Sequence, residues 1–171
     1  MSWGKLLQPD LILSNSVIAL TTEIVTQHQL KGLVLDVDET LVPITTKQVS
    51  QELHHWIESL RPQVSLWLVS NNVSKTRIAG IASVLNVPYI SAAGKPSRRK
   101  LRNAVDAMGL PPQQVGMVGD RLFTDVLAGN RLGMFTILVE PMVDPLQGNF
   151  YPSTRSLEVW ISKTLGATLH L

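Results

Sequence analysis

The sequence predicts an α/β domain in which a five-stranded parallel sheet lies between two layers of helices. Three observations carry that expectation. Short apolar runs alternate with stretches of helical hydrophobic period from residue 32 to residue 139. Each run is bounded by turn signals and is almost continuously apolar, as strands buried on both faces of a parallel sheet are. The polar residues that follow the runs are of kinds that do chemistry: carboxylates, a hydroxyl, an amide and a lysine. In an open parallel sheet these strand ends share one edge, and ligands bind there.

In chain order, Trp3, Leu6 and Leu7 precede Pro9-Asp10, which reads as a helix start. Leu13, Val17, Leu20 and Ile24 then recur at helical spacing and predict a helix over 11–28, so that segment 1–30 packs as a helical part of one domain spanning 1–171. The first strand is expected over 32–38, with a loop at 43–46. A helix over 48–60 places Val49, Leu53, Trp56, Ile57 and Leu60 on one side, and Arg61-Pro62 ends it. The second strand, 64–70, leads into Asn71-Asn72. Ser74 can cap a helix over 75–85. A third strand over 87–91 passes through Gly94 to Lys95-Pro96-Ser97, where Pro96 suits a first helical turn. The helix over 98–108 stops at Gly109. A fourth strand, 115–118, ends in Gly119-Asp120. A helix over 121–132 stops at Gly133, and a fifth strand covers 135–139. A loop over 141–152 and a last helix over 153–165 complete the chain. Right-handed crossovers place these helices on both faces of the sheet.

Composition excludes several classes. The 171 residues suit one domain with a real core. Fifteen basic against 13 acidic residues leave a net charge of +2, too weak to argue for nucleic acid. The absence of cysteine removes disulfides, thiolate metal sites and a cysteine nucleophile, and permits a cytoplasmic location. Asp10, Ser14, Asn15 and Ser16 interrupt the N-terminal apolar region, which is too broken to span a bilayer. His28, His54, His55 and His170 stand away from the strand ends and read as surface or boundary residues, not metal ligands.

The strand ends supply Asp36 and Asp38, then Ser70 and Asn71, then Lys95, then Asp120 with Asp125 beyond it. In extended geometry Asp36 and Asp38 face the same way, which crowds two like charges unless a cation or a shared proton relieves them. A carboxylate can attack phosphorus and split one hard step into two. A second can protonate the leaving oxygen and then activate water. Mg²⁺ takes hard oxygen ligands and would neutralise Asp36, Asp38 and Asp120 against a dianionic substrate. Ser70 and Lys95 suit phosphate oxygens.

Asp36-Val37-Asp38-Glu39-Thr40 resembles the first motif of the haloacid dehalogenase (HAD) superfamily, D-x-D-x-T. Ser70 resembles its second motif, Lys95 its third, and the run from Gly119 to Asp125 its acidic fourth. The resemblance implies a Rossmann-like HAD fold in three layers. It also implies a phosphatase with Asp36 as nucleophile and Asp38 as general acid and base. Mg²⁺ is implied on the Asp36 carboxylate, the Asp38 backbone carbonyl and the Asp120 carboxylate. Ser70, Asn71 and Lys95 would bind phosphate, with Thr40 and Asp125 in support. An acid/base at Asp38 implies fast hydrolysis, unlike the family's ion pumps. The intervals between Asp36, Ser70 and Lys95 leave no room for a cap domain, so the site is expected to be open unless a partner subunit of a homo-oligomer covers it.

The sequence from Gly119 to Gly133, with Lys95-Pro96-Ser97, resembles subfamily IIIA proteins of the YqeG type, a group related to phosphatidylglycerophosphate phosphatases. Glu39 departs from the Asn usual at that place. The likeness implies a phospholipid headgroup as substrate and peripheral membrane contact. The basic run of Lys95, Arg98, Arg99, Lys100 and Arg102 reads either as a solvated helix face or as an attraction for anionic headgroups. Two alternatives stay open: a small soluble phosphate as substrate, and a phospho-acceptor switch resembling a receiver domain. The position of Lys95 after the third strand and the presence of Asp38 weigh against the switch.

Overall fold

The computed structural model describes residues 3–142. Six strands, β1 Leu11–Ile12, β2 Gly32–Leu35, β3 Ser65–Val69, β4 Tyr89–Ile90, β5 Val115–Gly119 and β6 Phe135–Leu138, form one sheet. Their order is β1-β6-β5-β2-β3-β4, and every pair is parallel. The helices are α1 Trp3–Leu6, α2 Thr22–Gln27, α3 Gln51–Leu60, α4 Lys75–Leu85, α5 Arg99–Met108 and α6 Leu127–Leu132.

Alternation along the central strands explains the two helical layers. Leu33 and Leu35 of β2 and Leu66 and Leu68 of β3 face α3 and α4, meeting Leu53, Ile57, Ile78 and Ile81. Val34 and Val69 point the other way, with Val115 and Met117 of β5, onto Leu101, Ala104 and Val105 of α5 and Ala128 of α6. Both faces are covered, so the strands carry apolar side chains at successive positions. Ser50 caps α3 by accepting from the Leu53 N–H at 3.1 Å. Gly109 and Gly133 end α5 and α6 in the left-handed conformation, at φ 66° and 79°. Ser74 makes no capping bond to α4, against expectation.

The sheet has six strands, not five, and the predicted helix over 11–28 is not one helix. Its first residues form β1, beside β6, with Leu11 opposite Ile137 and Ile12 opposite Leu138. Without β1, β6 would be an edge with unpaired backbone groups. Asp10 is therefore no helix start. Its carboxylate accepts from the Thr136 N–H at 2.7 Å and the Thr136 hydroxyl at 3.0 Å, while its own N–H bonds the Thr136 carbonyl. A 3-10 turn, Val17–Ala19, and the short α2 follow. The apolar spacing still names buried residues: Val17 and Leu20 are fully covered. The Trp56 indole donates to the Leu20 carbonyl at 2.8 Å and ties this segment to α3.

The predicted helix over 121–132 divides into a π-helical turn, Leu122–Val126, and α6. Pro96 lies ahead of α5, which begins at Arg99. The described connections at the carboxyl edge are loops and single helices, and among the described residues no cap domain stands over that edge. The expected loop over 141–152 and helix over 153–165 lie outside the described residues beyond Met142. No helix of the described residues is long and apolar enough to cross a membrane.

Candidate active site

The site gathers at the carboxyl ends of β2, β3 and β5. Asp36 follows β2, and its N–H continues the ladder to the Val118 carbonyl at 2.9 Å. The chain then turns sharply: the Leu41 and Val42 N–H groups both return to the Val37 carbonyl. Thr40, fully buried inside this turn, donates to Asp120 Oδ1 at 3.1 Å and lies 3.5 Å from Asp36 Oδ2. It thus bridges the ends of β2 and β5. Glu39 holds the left-handed conformation at φ 64°, where a short Asn side chain is less strained. Its carboxylate fixes the outer loop instead, accepting from the Ile44 N–H at 2.7 Å.

The fourth-motif residues depend on the π-helical turn. That turn brings Asp125 back beneath the end of β5, where Oδ2 accepts from the Arg121 N–H at 3.3 Å. Gly119 makes the approach possible. A methyl group there would meet the Asp125 side chain, with its Cβ only 2.6 Å away.

Carboxylate oxygens of Asp36, Asp120 and Asp125 all lie within 4.8 Å of one another, and all three residues are buried. A cation faces them. The Lys95 ammonium lies 2.7 Å from Asp36 Oδ1, 2.6 Å from Asp125 Oδ1 and 2.8 Å from the Val69 carbonyl. Its three protons are thereby used. Burial pushes the Asp36 carboxyl up to about 7, with Lys95 opposing the rise and Asp125 adding to it. Burial, then Asp125 and Asp36, pushes Asp120 up to about 8. Burial works against charge on Lys95, but Asp125 and Asp36 outweigh it and hold the ammonium group above the ordinary lysine range. Three carboxylates against one ammonium leave two negative charges when all are ionised. A hard oxygen set with that excess fits a divalent cation held by Asp36, Asp120 and Asp125.

Asp38 does not join this cluster. β2 ends at Leu35, so the extended spacing expected to align Asp36 with Asp38 has already given way to the turn. The crowding falls on Asp36, Asp120 and Asp125 instead. The Asp38 carboxylate pairs with the Arg77 guanidinium and accepts from the Ser70 hydroxyl at 3.3 Å and the Asn72 amide at 3.0 Å. Arg77 reaches from α4 and also donates to the Pro43 and Thr46 carbonyls, at 3.0 and 2.8 Å. The Asn71 side chain is occupied with the Lys95 backbone, donating to its carbonyl at 3.0 Å and accepting from its N–H at 2.7 Å. It positions the loop that carries Lys95.

The structure therefore brings Asp36, Lys95, Asp120, Asp125 and Thr40 into one cluster, with Asp38 and Ser70 beside it. Sequence reasoning missed Arg77 and Asn72. One signal pointed to Arg77: it adjoins Ile78 on the stripe of α4 that also buries Ile81 and Leu85. A charged group there needs a partner.

Comparison with known proteins shows the family. Residues 92–141 match the HAD-hydrolase-like family model. Over 139 residues the chain is 34% identical to the probable phosphatase YqeG of Bacillus subtilis (strain 168), covering 81% of this chain and 80% of that protein. The chain belongs to the YqeG-type family of the HAD superfamily. This YqeG-type protein is also 27% identical over 150 residues to the chloroplastic phosphatidylglycerophosphate phosphatase 1 of Chlamydomonas reinhardtii. That match covers 82% of this chain but 56% of the algal protein. Its fold resembles that of the cobalt-bound deoxy-D-mannose-octulosonate 8-phosphate phosphatase of Haemophilus influenzae. The TM-score is 0.52 at 13% identity, over 66% of this chain and 69% of that one.

Proposed function

We propose that this HAD-family phosphatase hydrolyses a phosphomonoester through Asp36 and that its substrate is phosphatidylglycerophosphate at a membrane surface. The observation that carries the chemistry is the buried cluster of Asp36, Asp120 and Asp125 against the single ammonium of Lys95. It supports divalent-metal use, with Mg²⁺ the ion best matched to hard oxygen donors. When bound, the ion supplies charge neutralisation for the transferred phosphoryl group.

The chain's own groups then divide the work. Asp36 attacks phosphorus, forming an aspartyl-phosphate while the bond to the leaving oxygen breaks. Asp38 gives that oxygen its proton. It then takes a proton from water as the water attacks the acyl phosphate, which releases inorganic phosphate and restores Asp36. Asp38 performs both transfers by swinging out of its contact with Arg77 toward the phosphoryl group. Lys95 keeps Asp36 oriented, and Ser70 receives a phosphate oxygen once Asp38 moves.

Three features support a lipid substrate. The related algal protein is named for that activity. No cap among the described residues encloses the site, so a headgroup still embedded in a bilayer has access. Ile44 and Val73, on the loops after β2 and β3, expose 51% and 83% of their surface, an apolar rim around the polar centre that suits a lipid interface.

The test is hydrolysis of phosphatidylglycerophosphate in mixed micelles beside a panel of soluble phosphomonoesters, with Mg²⁺ present. The wild type is expected to prefer the lipid. Asp36→Asn is expected to abolish turnover, and Asp38→Asn to slow it by roughly 10²–10⁴-fold. Wild-type rates from Asp36→Asn would sink the covalent mechanism. More efficient hydrolysis of a soluble sugar phosphate would remove the lipid and leave the phosphatase.

A further inference from the structure

The basic run over 95–102 does not act as one patch. Lys95 is drawn into the carboxylate cluster. Lys100 turns back to the end of β4 and donates to the Ser91 and Ala92 carbonyls, at 3.2 and 2.7 Å. Arg98, Arg99 and Arg102 remain, and Arg131, distant in sequence, joins them from the end of α6. Together with Ser97 and Asn103 these four arginines line an open cleft of about 590 Å³.

The cleft has no acidic residue in its lining, and none of its arginines makes an ion pair among the described residues. Two of the four are held in place by the backbone. Arg98 donates to the Arg131 carbonyl at 3.0 Å, and Arg131 donates to the Pro96 carbonyl at 3.1 Å. Each spends one of five donors in this way and keeps the others for a ligand. The arrangement works against the fold. Arg98, Arg99 and Arg102 crowd the positive end of α5, whose first turn has no acidic residue, and cations are unfavourable there. An anion seated in the cleft would reverse that cost, because guanidinium groups and the helix end both attract it. Segment 143–171 is a poor occupant, since its acidic side chains, Asp144 and Glu158, are balanced by Arg155 and Lys163.

We propose that this arginine cleft is a docking surface for the phosphate groups of an anionic bilayer. It lies on the flank formed by α5 and α6, two residues in sequence from Lys95, and holds the protein at the surface while the separate carboxylate site works. The proposal rests on the lipid reading of that site for its purpose, but its test does not.

The experiment is flotation of the full chain with vesicles of phosphatidylcholine alone or mixed with phosphatidylglycerol, with no phosphomonoester present. Arg99→Gln/Arg102→Gln is the informative variant, because neither side chain makes a described bond; a melting temperature no lower than that of the wild type verifies folding. The wild type is expected to bind the mixed vesicles, to ignore neutral ones and to dissociate as salt rises. The double variant is expected to bind roughly 30-fold more weakly. Lys31→Gln, at the opposite edge of the sheet, is expected to bind as the wild type does. Wild-type binding by the double variant would overturn the proposal, as would indifference of the wild type to vesicle charge. Binding of inorganic phosphate by a wild type that anionic vesicles do not recruit would also overturn it, and would make the cleft a site for free phosphate. If the vesicles bind through the cleft but phosphatidylglycerophosphate is not hydrolysed, the docking surface stands and the substrate reading falls.

Discussion

Arg77 connects two parts of the site that the chain builds separately. Its guanidinium holds the Asp38 carboxylate and the carbonyls of Pro43 and Thr46. The first contact fixes the resting place of the proposed acid/base, and the others fix the loop that follows it. The arginine side chain is 8% exposed and the Asp38 side chain 17%, so removing one partner leaves a poorly solvated charge. Arg77→Ala is expected to destabilise the protein by about 3 kcal/mol in urea unfolding and to lower kcat more than it raises KM. Arg77→Lys keeps the charge but lacks the planar fork needed for three acceptors, so partial recovery of stability is expected. Arg77→Ala with wild-type stability and kcat would mean that the contact is incidental. Most of the site was legible before the structure because its residues stand at strand ends, which a parallel sheet must align. Asp36, Ser70, Lys95 and Asp120 were placed by that argument alone. Arg77 was not, because it lies on a helix that reaches the site sideways, and strand order does not report how far a helix side chain extends. The separation of Asp38 from Asp36 was also hidden, since it depends on where β2 ends.

The π-helical turn after β5 shows how an element can be misread while its residues are read well. An α-helical period over 121–132 accounts for Leu122, Val126 and Leu132, which are buried. It does not reveal the wider first turn that carries Asp125 under Asp120. The signal lay in Gly119, where a strand gives up its side chain to let another group approach. Gly119→Ala is expected to cost about 1–3 kcal/mol of stability and to weaken divalent-cation binding, measured by titration calorimetry, because the added methyl displaces Asp125. Unchanged cation affinity would show that Asp125 is dispensable to the cluster. The N-terminal error has a similar origin. Leu13, Val17, Leu20 and Ile24 fit a helical period, but an exposed β6 edge demands backbone partners, and Asp10 with Leu11–Ile12 meets that demand. Local pattern reports which side chains are buried; the hydrogen-bond needs of a distant strand decided the conformation.

The whole domain bears the cost of three carboxylates in one buried space, and that cost makes its stability depend on pH and on cations. Asp36 and Asp120 have raised values in the fold, about 7 and about 8. Below the ordinary carboxylate range both groups are protonated in the folded and the unfolded chain, and they do not favour either. As pH rises through that range the unfolded chain ionises while the fold retains its protons. The unfolded state then binds fewer protons than the folded one, so stability falls with rising pH. The decline continues until the folded groups ionise near pH 7 to 8 and then levels off. A divalent cation reverses the balance by favouring the ionised cluster, and it competes with fewer protons at higher pH. Thermal melts in EDTA are therefore expected to show a contribution from this cluster that weakens between pH 5 and about 8. The gain in Tm on adding Mg²⁺ is expected to be larger at pH 8 than at pH 5. The Asp36→Asn/Asp120→Asn protein isolates the effect, since it has lost both titrating groups and should show a flatter profile and little response to Mg²⁺. A wild type whose Mg²⁺ response is the same at pH 5 and pH 8, and equal to that of the double variant, would mean that the buried carboxylates do not hold the ion.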